Sequence, residues 1–305
     1  MTDDDVGPLR LIEIEEPYDL AATLFPLRRG TGDPTMRIDA AGTVWRAART
    51  PEGPATIRLD HGKGRVRAVA WGEGAEWALE QAPELIGAED DQSVFEPQDD
   101  VVRTLWKEHR AVRLTRALDV VRTLVAAILE QKVVGLEARR AWRRMTKALS
   151  EPAPGESELL LPPDPAVLAE VPYFRFHPWG VERRRAEVIR AVSSRAESLE
   201  ALAGVPFEEV ARRLQSFPGV GPWTTAEVVR LSFGDADAVS VGDYHLPDIV
   251  AWAMAGEPRG TDERMLELLE PYRGQRGRVQ RILEASHVAP PAYGPRADAR
   301  EIGRL

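Results

Sequence analysis

Two short stretches hold the residue types from which a reaction centre could be built. In Phe217-Pro218-Gly219-Val220-Gly221-Pro222-Trp223-Thr224, two glycines that can turn sharply for want of a Cβ stand directly ahead of an apolar helical run. The amides of Gly219, Val220 and Gly221 can then converge at the N-terminus of the next helix. Unpaired amides there, with the positive end of the helix dipole, bind an anion such as a phosphate without any basic side chain. The same residues would also make an ordinary helix–turn–helix connection. Further along, Val241-Gly242-Asp243-Tyr244-His245 sets one carboxylate before Pro247 and another apolar helix. An Asp in that place caps a helix. If Asp243 faced a substrate it could stabilise developing positive charge, and the nearby helix end favours its negative charge by ~0.3–1 kcal/mol.

The elements that must position these residues fall into two kinds. Up to residue 100, Thr35–Asp39, Thr43–Ala47, Ala55–Leu59 and Arg65–Trp71 alternate apolar and polar side chains between glycines, which predicts an antiparallel sheet. Helices are expected at Pro17–Phe25 and Gly74–Gln81, and the acidic stretch Glu89–Asp100 reads as a linker. From Asp119 the period becomes helical, with an apolar helix from Val120 and a basic one at Leu136–Leu149. Glu151–Pro165 reads as a loop. Further helices are expected at Glu182–Arg195, Phe207–Gln215, Trp223–Phe233, Pro247–Ala255, Asp262–Leu269 and Gly277–Ala285, before a disordered tail at 288–305.

The composition narrows the chemistry. The 305 residues contain no cysteine, which removes disulfides, thiol nucleophiles, zinc fingers and iron–sulfur clusters together. The net charge of −9 argues against a nucleic-acid partner only until it is divided. Residues 1–100 hold 21 acidic and 10 basic side chains, and the remainder 28 and 30. The five histidines show no metal-ligand spacing with carboxylates, so no catalytic metal is expected. No secretory signal or membrane span is visible, so a cytoplasmic protein is expected.

The order helix, Pro-Gly-Val-Gly, helix, then Val-Gly-Asp opening another helix resembles the helix-hairpin-helix DNA glycosylase superfamily, and most closely its bacterial 3-methyladenine DNA glycosylase II group. Glu16-Pro17-Tyr18-Asp19 looks like that group's N-terminal entry, Ile128-Leu129-Glu130-Gln131 like the segment before its intercalating loop, and Pro271-Tyr272-Arg273 like a stretch bearing a pocket aromatic. The resemblance implies an α+β chain. Its N-terminal antiparallel sheet domain (1–100) resembles half of a TATA-binding-protein fold. An all-α glycosylase domain of two subdomains (101–287) follows, with the active site between them.

The resemblance also implies roles. Gly219, Val220, Gly221 and Thr224 would bind a DNA phosphate, and Asp243 would be catalytic. Trp223, Tyr244, Tyr272 and Glu227 would line the base pocket, although the two tyrosines could equally be core residues and Glu227 could simply pair with Arg230. Gln131, Lys132 and Val133 would form the wedge loop that fills the gap left by a flipped base. Lys132 departs from the group's apolar wedge, so Val133 or a neighbour could intercalate instead. Bifunctional glycosylase/lyases carry a lysine where this chain has Trp223. The mismatch-adenine branch carries a glutamate where this chain has Ala126, and that branch and the endonuclease III-like one usually hold an iron–sulfur cluster. The expectation is a monofunctional enzyme, monomeric, acting on double-stranded DNA with damaged bases, most simply alkylated purines. It would need no cofactor beyond a possible monovalent cation at the hairpin. Oxidised or deaminated purines, or non-catalytic damage binding, remain the alternatives.

Overall fold

The computed structural model describes residues 7–291. Strands β1 (Leu9–Glu13), β2 (Met36–Ile38), β3 (Val44–Thr50), β4 (Gly53–Gly62) and β5 (Arg65–Trp71) form one antiparallel sheet in the order β1-β5-β4-β3-β2. Its register pairs Val44 with Leu59 and Leu59 with Ala68, so the apolar residues of successive strands share one face. Helices α1 (Leu20–Leu24), α2 (Ala75–Glu80) and α3 (Ala82–Leu85) bury their apolar side chains against that face. On the other face Leu159 and Leu161 cover Ala47 and Trp45, so the expected loop at 151–165 is fastened to the sheet.

The rest of the described chain is helical: α4 (Asp100–His109), α5 (Val120–Glu130), α6 (Gly135–Leu149), α7 (Pro165–Glu170), α8 (Arg183–Ser193), α9 (Ala196–Glu200), α10 (Phe207–Gln215), α11 (Pro222–Phe233), α12 (Leu246–Ala255), α13 (Asp262–Leu269) and α14 (Arg276–Ser286). Nine of the eleven residues of α5 are buried, which makes it the central rod of a first helical core with α6, α8, α10 and α11. A second helical core joins α4, α12, α13 and α14 through Val102, Val250, Met265, Leu269 and Ile282. The hairpin belongs to the first core and the turn before α12 to the second.

Several expectations are corrected. The segment 89–100 is packed rather than a free linker. Asp90 and Arg278 form a buried ion pair at 2.6 Å, and Phe95 sits in the second helical core. A buried charge pair and a buried ring hold a segment whose acidity alone suggested solvent. The first helix begins at Leu20, not Pro17, because Asp19 caps it by accepting from the Ala22 amide at 2.8 Å. Strand β1 and helices α4, α7 and α9 escaped the periodicity reading. β1 is an edge strand that buries only Ile12, and α7 and α9 are too short to show a helical period. Val288, at the start of the expected tail, packs on the second helical core, and 292–305 lie outside the described residues.

Candidate active site at the hairpin and Asp243

Between α10 and α11 the chain turns at Gly219, whose φ of +98° lies in the left-handed region. A Cβ there would come within 2.5 Å of Val188 Cγ2 on α8, so glycine is required twice over. Gly221 is extended, caps α11, and faces open space where a Cβ would sit. The amides of Gly219 and Gly221 make no hydrogen bond among the described residues. The Val220 amide, expected to join them, instead donates to Phe217 O at 3.0 Å, and its side chain is buried in the first core. Thr224 is also removed from the expected phosphate set: it is buried and its hydroxyl accepts from Gln131 Nε2 at 2.8 Å. Of the expected phosphate set, the two glycine amides at the start of α11 are the ones left without a partner among the described residues.

Gln131, the residue after α5, reaches both the Thr224 hydroxyl and the Gly219 carbonyl, the latter at 2.9 Å. It thus fastens the wedge turn to the hairpin. Lys132 follows with φ +56° and is exposed at the tip, whereas Val133 is turned in against the first core. Of the two candidates for the gap-filling side chain, the geometry leaves Lys132 outward. Leu136, in the first turn of α6, is the nearby apolar side chain that stays exposed.

Asp243 spans the two helical cores. Its Oδ2 accepts from Trp223 Nε1 at 3.0 Å, while its Oδ1 accepts from the amides of His245 and Leu246 at 2.7 and 2.9 Å. The carboxylate thus fastens the turn ahead of α12 and is the partner of the indole of α11. These bonds meet the reading of Asp243 as a turn residue ahead of an apolar helix. Gly242, at φ +88°, makes the preceding turn, and its amide is held by the Asp262 carboxylate.

Other expected pocket residues lie elsewhere. Tyr272 is buried in the second helical core, its hydroxyl donating to Asp99 and accepting from the amides of Gln98 and Asp99. That burial pushes its phenol well above the usual range. Tyr244 is 86% exposed, with its edge against His245. Glu227 faces inward, bonded to Arg230 at 2.8 Å and to Ser240 at 2.5 Å. Arg230 in turn makes two 2.9 Å bonds to Glu284. This closed network supports α11 against α14 and leaves Glu227 as structure.

The sequence reading passed over Glu130, the last residue of α5. It is half-buried with Arg29 of the N-terminal part at 3.4 Å. Burial pushes its carboxyl up; Arg29 opposes this, while the charges of Glu227 and Asp243 add to it. The carboxyl therefore lies in the electrostatic reach of Asp243. Its signal in sequence was only its place beside Gln131. A cavity lined by Arg49, Asp119, Arg122 and Glu200 lies near the other end of α5, about 16 Å away at 1.5 Å per residue, and is not part of this site. Among the described residues no group of three or more His, Asp or Glu side chains could hold a metal, and no helix is long and apolar enough to cross a membrane.

No protein-family model matches the chain, and no curated protein matches it. Solved structures do. A 3-methyladenine DNA glycosylase from Archaeoglobus fulgidus superposes with a TM-score of 0.78 at 17% identity, over 91% of this chain and 98% of that one. The Clostridium acetobutylicum 8-oxoguanine glycosylase/lyase, in complex with double-stranded DNA containing cytosine opposite 8-oxoguanine, gives 0.71 at 13% identity, over 92% and 98%. A 3-methyladenine DNA glycosylase from Schizosaccharomyces pombe, in complex with abasic DNA, gives 0.52 at 16% identity, over 63% and 94%. The α+β architecture of this chain, a five-stranded antiparallel sheet followed by the two helical cores that flank Asp243, is shared over about nine-tenths of its length with the Archaeoglobus and Clostridium glycosylase structures.

Proposed function

We propose that this protein is a monofunctional DNA glycosylase that hydrolyses the N-glycosidic bond of alkylated purines in base excision repair. The observation that carries the reading is the Trp223–Asp243 contact beside the unpaired amides of Gly219 and Gly221. In this reading the two amides take a phosphate of the strand that bears the lesion. The Gln131–Lys132 turn enters the duplex where the nucleotide has left it.

Asp243 then lies beside C1′ of the flipped nucleotide. As the C1′–N bond breaks, its electron pair leaves with the purine and the sugar becomes cationic, which the carboxylate stabilises. Water adds to C1′, and its proton passes by way of the Asp243 carboxylate to solvent. A base alkylated at N3 or N7 is cationic before cleavage and departs neutral, so no acid is required. The face of Trp223 attracts such a cation by ~0.5–2 kcal/mol. Where a lyase would use lysine this chain has Trp223, so no amine attacks the sugar and an abasic site is left. The protein acts as a monomer on double-stranded DNA and needs no cofactor.

The test is incubation with methylated duplex DNA and mass spectrometry of the released bases. Free 3-methyladenine or 7-methylguanine is expected, with the strand intact until alkali treatment. No base release would overturn the enzyme reading, and release of 8-oxoguanine alone would overturn the alkylated-purine assignment.

A further inference from the structure

Asp243 is the fourth residue of a turn that begins at Ser240, and its amide donates to the Ser240 carbonyl at 3.1 Å. Ser240 is 1% exposed. A hydroxyl can donate one hydrogen bond and accept two. That of Ser240 does both, donating to Glu227 at 2.5 Å and accepting from Arg230 at 3.2 Å and Gln280 at 3.0 Å. The Ser240 amide donates to the Gln280 side-chain carbonyl at 3.1 Å, so one glutamine of α14 holds both the main chain and the side chain of Ser240. The stretch leading to the turn is laid along the same helix. The Ala236 carbonyl accepts from the Arg278 amide at 2.9 Å, and Asp237 pairs with Arg276 at 2.8 Å.

Trp223 and Glu227 are four residues apart on α11 and so share one face of that helix, about 6 Å apart along its axis. Trp223 meets the turn at Asp243, and Glu227 meets it at Ser240. The His245 and Leu246 amides fix the carboxylate within its own turn, but its place over α11 depends on how the whole turn is seated. A single contact at Trp223 would leave the turn free to pivot, and a second at Ser240 removes that freedom. We propose that Ser240 is a positioning residue for Asp243. Held by Glu227 from α11 and by Gln280 from α14, it sets the orientation of the carboxylate without touching substrate. The proposal rests on the glycosylase reading, in which Asp243 stabilises the cationic sugar. The buried network of Glu227, Arg230 and Glu284 then bears on the reaction through Ser240 and not through contact with the base.

The test is single-turnover release of 7-methylguanine from methylated duplex at saturating protein, because that rate constant reports the folded molecules and does not depend on their number. Ser240→Ala is expected to lower it roughly 10- to 100-fold, the cost of a reacting group displaced by about an ångström. Affinity for a duplex with an abasic-site analogue, read by anisotropy, should stay within about twofold, since the Gly219 and Gly221 amides are not tied to Ser240. Ser240→Thr keeps the hydroxyl and should recover most of the rate. Gln280→Met, similar in shape, cuts the tie from α14 and should slow release in the same way; it carries the test if Ser240→Ala does not fold. An unchanged rate constant in a folded Ser240→Ala or Gln280→Met protein overturns the positioning role alone. So does equal loss in the alanine and threonine forms, or rate and affinity falling together. If the unsubstituted protein releases no base, the glycosylase reading falls and takes this inference with it.

Discussion

Gln131 and Thr224 stand 93 positions apart in the chain, yet the Gln131 side-chain amide donates to the Thr224 hydroxyl at 2.8 Å. The same nitrogen reaches the Gly219 carbonyl, so the turn at Lys132 and the hairpin move as one piece. Gln131→Ala should uncouple them. Binding to a duplex with an abasic-site analogue is expected to weaken about 5-fold or more, for a net hydrogen-bond loss of ~1 kcal/mol. Titration followed by anisotropy reads the change, with thermal unfolding shifted by only a few degrees.

Asp243→Asn separates the hydrogen bonds of the turn from the chemistry. The asparagine oxygen can still accept from the His245 and Leu246 amides, so the turn ahead of α12 holds. Without the negative charge, base release should fall roughly 10²–10³-fold. Affinity for the abasic-site duplex should stay near normal. Single-turnover release of 7-methylguanine checks the first outcome and anisotropy the second.

Gly219→Ala meets two obstacles, a left-handed φ and the Val188 methyl at 2.5 Å. A loss of ~1–3 kcal/mol in stability is expected, with weakened DNA binding. Adding Val188→Ala removes the clash but not the strained φ, so the double variant should recover part of the loss relative to the two single changes. Urea unfolding of all three variants gives the coupling.

Tyr272→Phe removes a buried hydroxyl that serves Asp99 and the amide of Gln98. Stability should drop by ~1–3 kcal/mol. The rate of base release per folded molecule should not change, because the ring belongs to a core and not to the cleft. A fall in that rate at constant stability would return Tyr272 to the substrate pocket.

Glu200 caps the N-terminus of α5 from another helix, accepting from the amides of Val120 and Val121 at 3.0 and 2.9 Å. Burial raises its carboxyl from 4.5 to about 7, with the two amides opposing and Asp119 adding to the rise. The folded protein therefore holds this proton more tightly than the unfolded chain. Its contribution is complete below about pH 4.5 and lost as the pH passes 7. Glu200→Gln keeps an acceptor and cannot ionise, so its unfolding free energy should fall less between pH 5 and 8 than that of the unsubstituted protein. Parallel urea titrations at the two pH values measure the difference.

Much of this was legible in the residues alone. Period-two alternation located β2 to β5, and glycine at 219 and 221 marked a hairpin because few other residues can make such a turn. The Val-Gly-Asp stretch before Pro247 marked Asp243, and the lack of cysteine excluded thiolate and iron–sulfur chemistry by itself. These features are local: backbone freedom, side-chain period and residue type are properties of a few neighbours. What stayed hidden depended on direction. Tyr272 and Tyr244 carry the same ring, but one is sealed between α13 and α14 and the other stands in water. Val220 and Thr224 occupy the hairpin, yet an internal amide bond and Gln131 claim them. Glu227 is bound into a network with Arg230 and Ser240, while Glu130, unremarked in the sequence, feels the charge of Asp243. The acidic stretch around Asp90 read as solvated until Arg278, far along the chain, was found beside it. The sequence determined which groups were present and where the backbone had to turn. Which of them are buried and which stay exposed was decided only when α5, α8, α11 and α12 packed together, because burial and partners are properties of the assembled core.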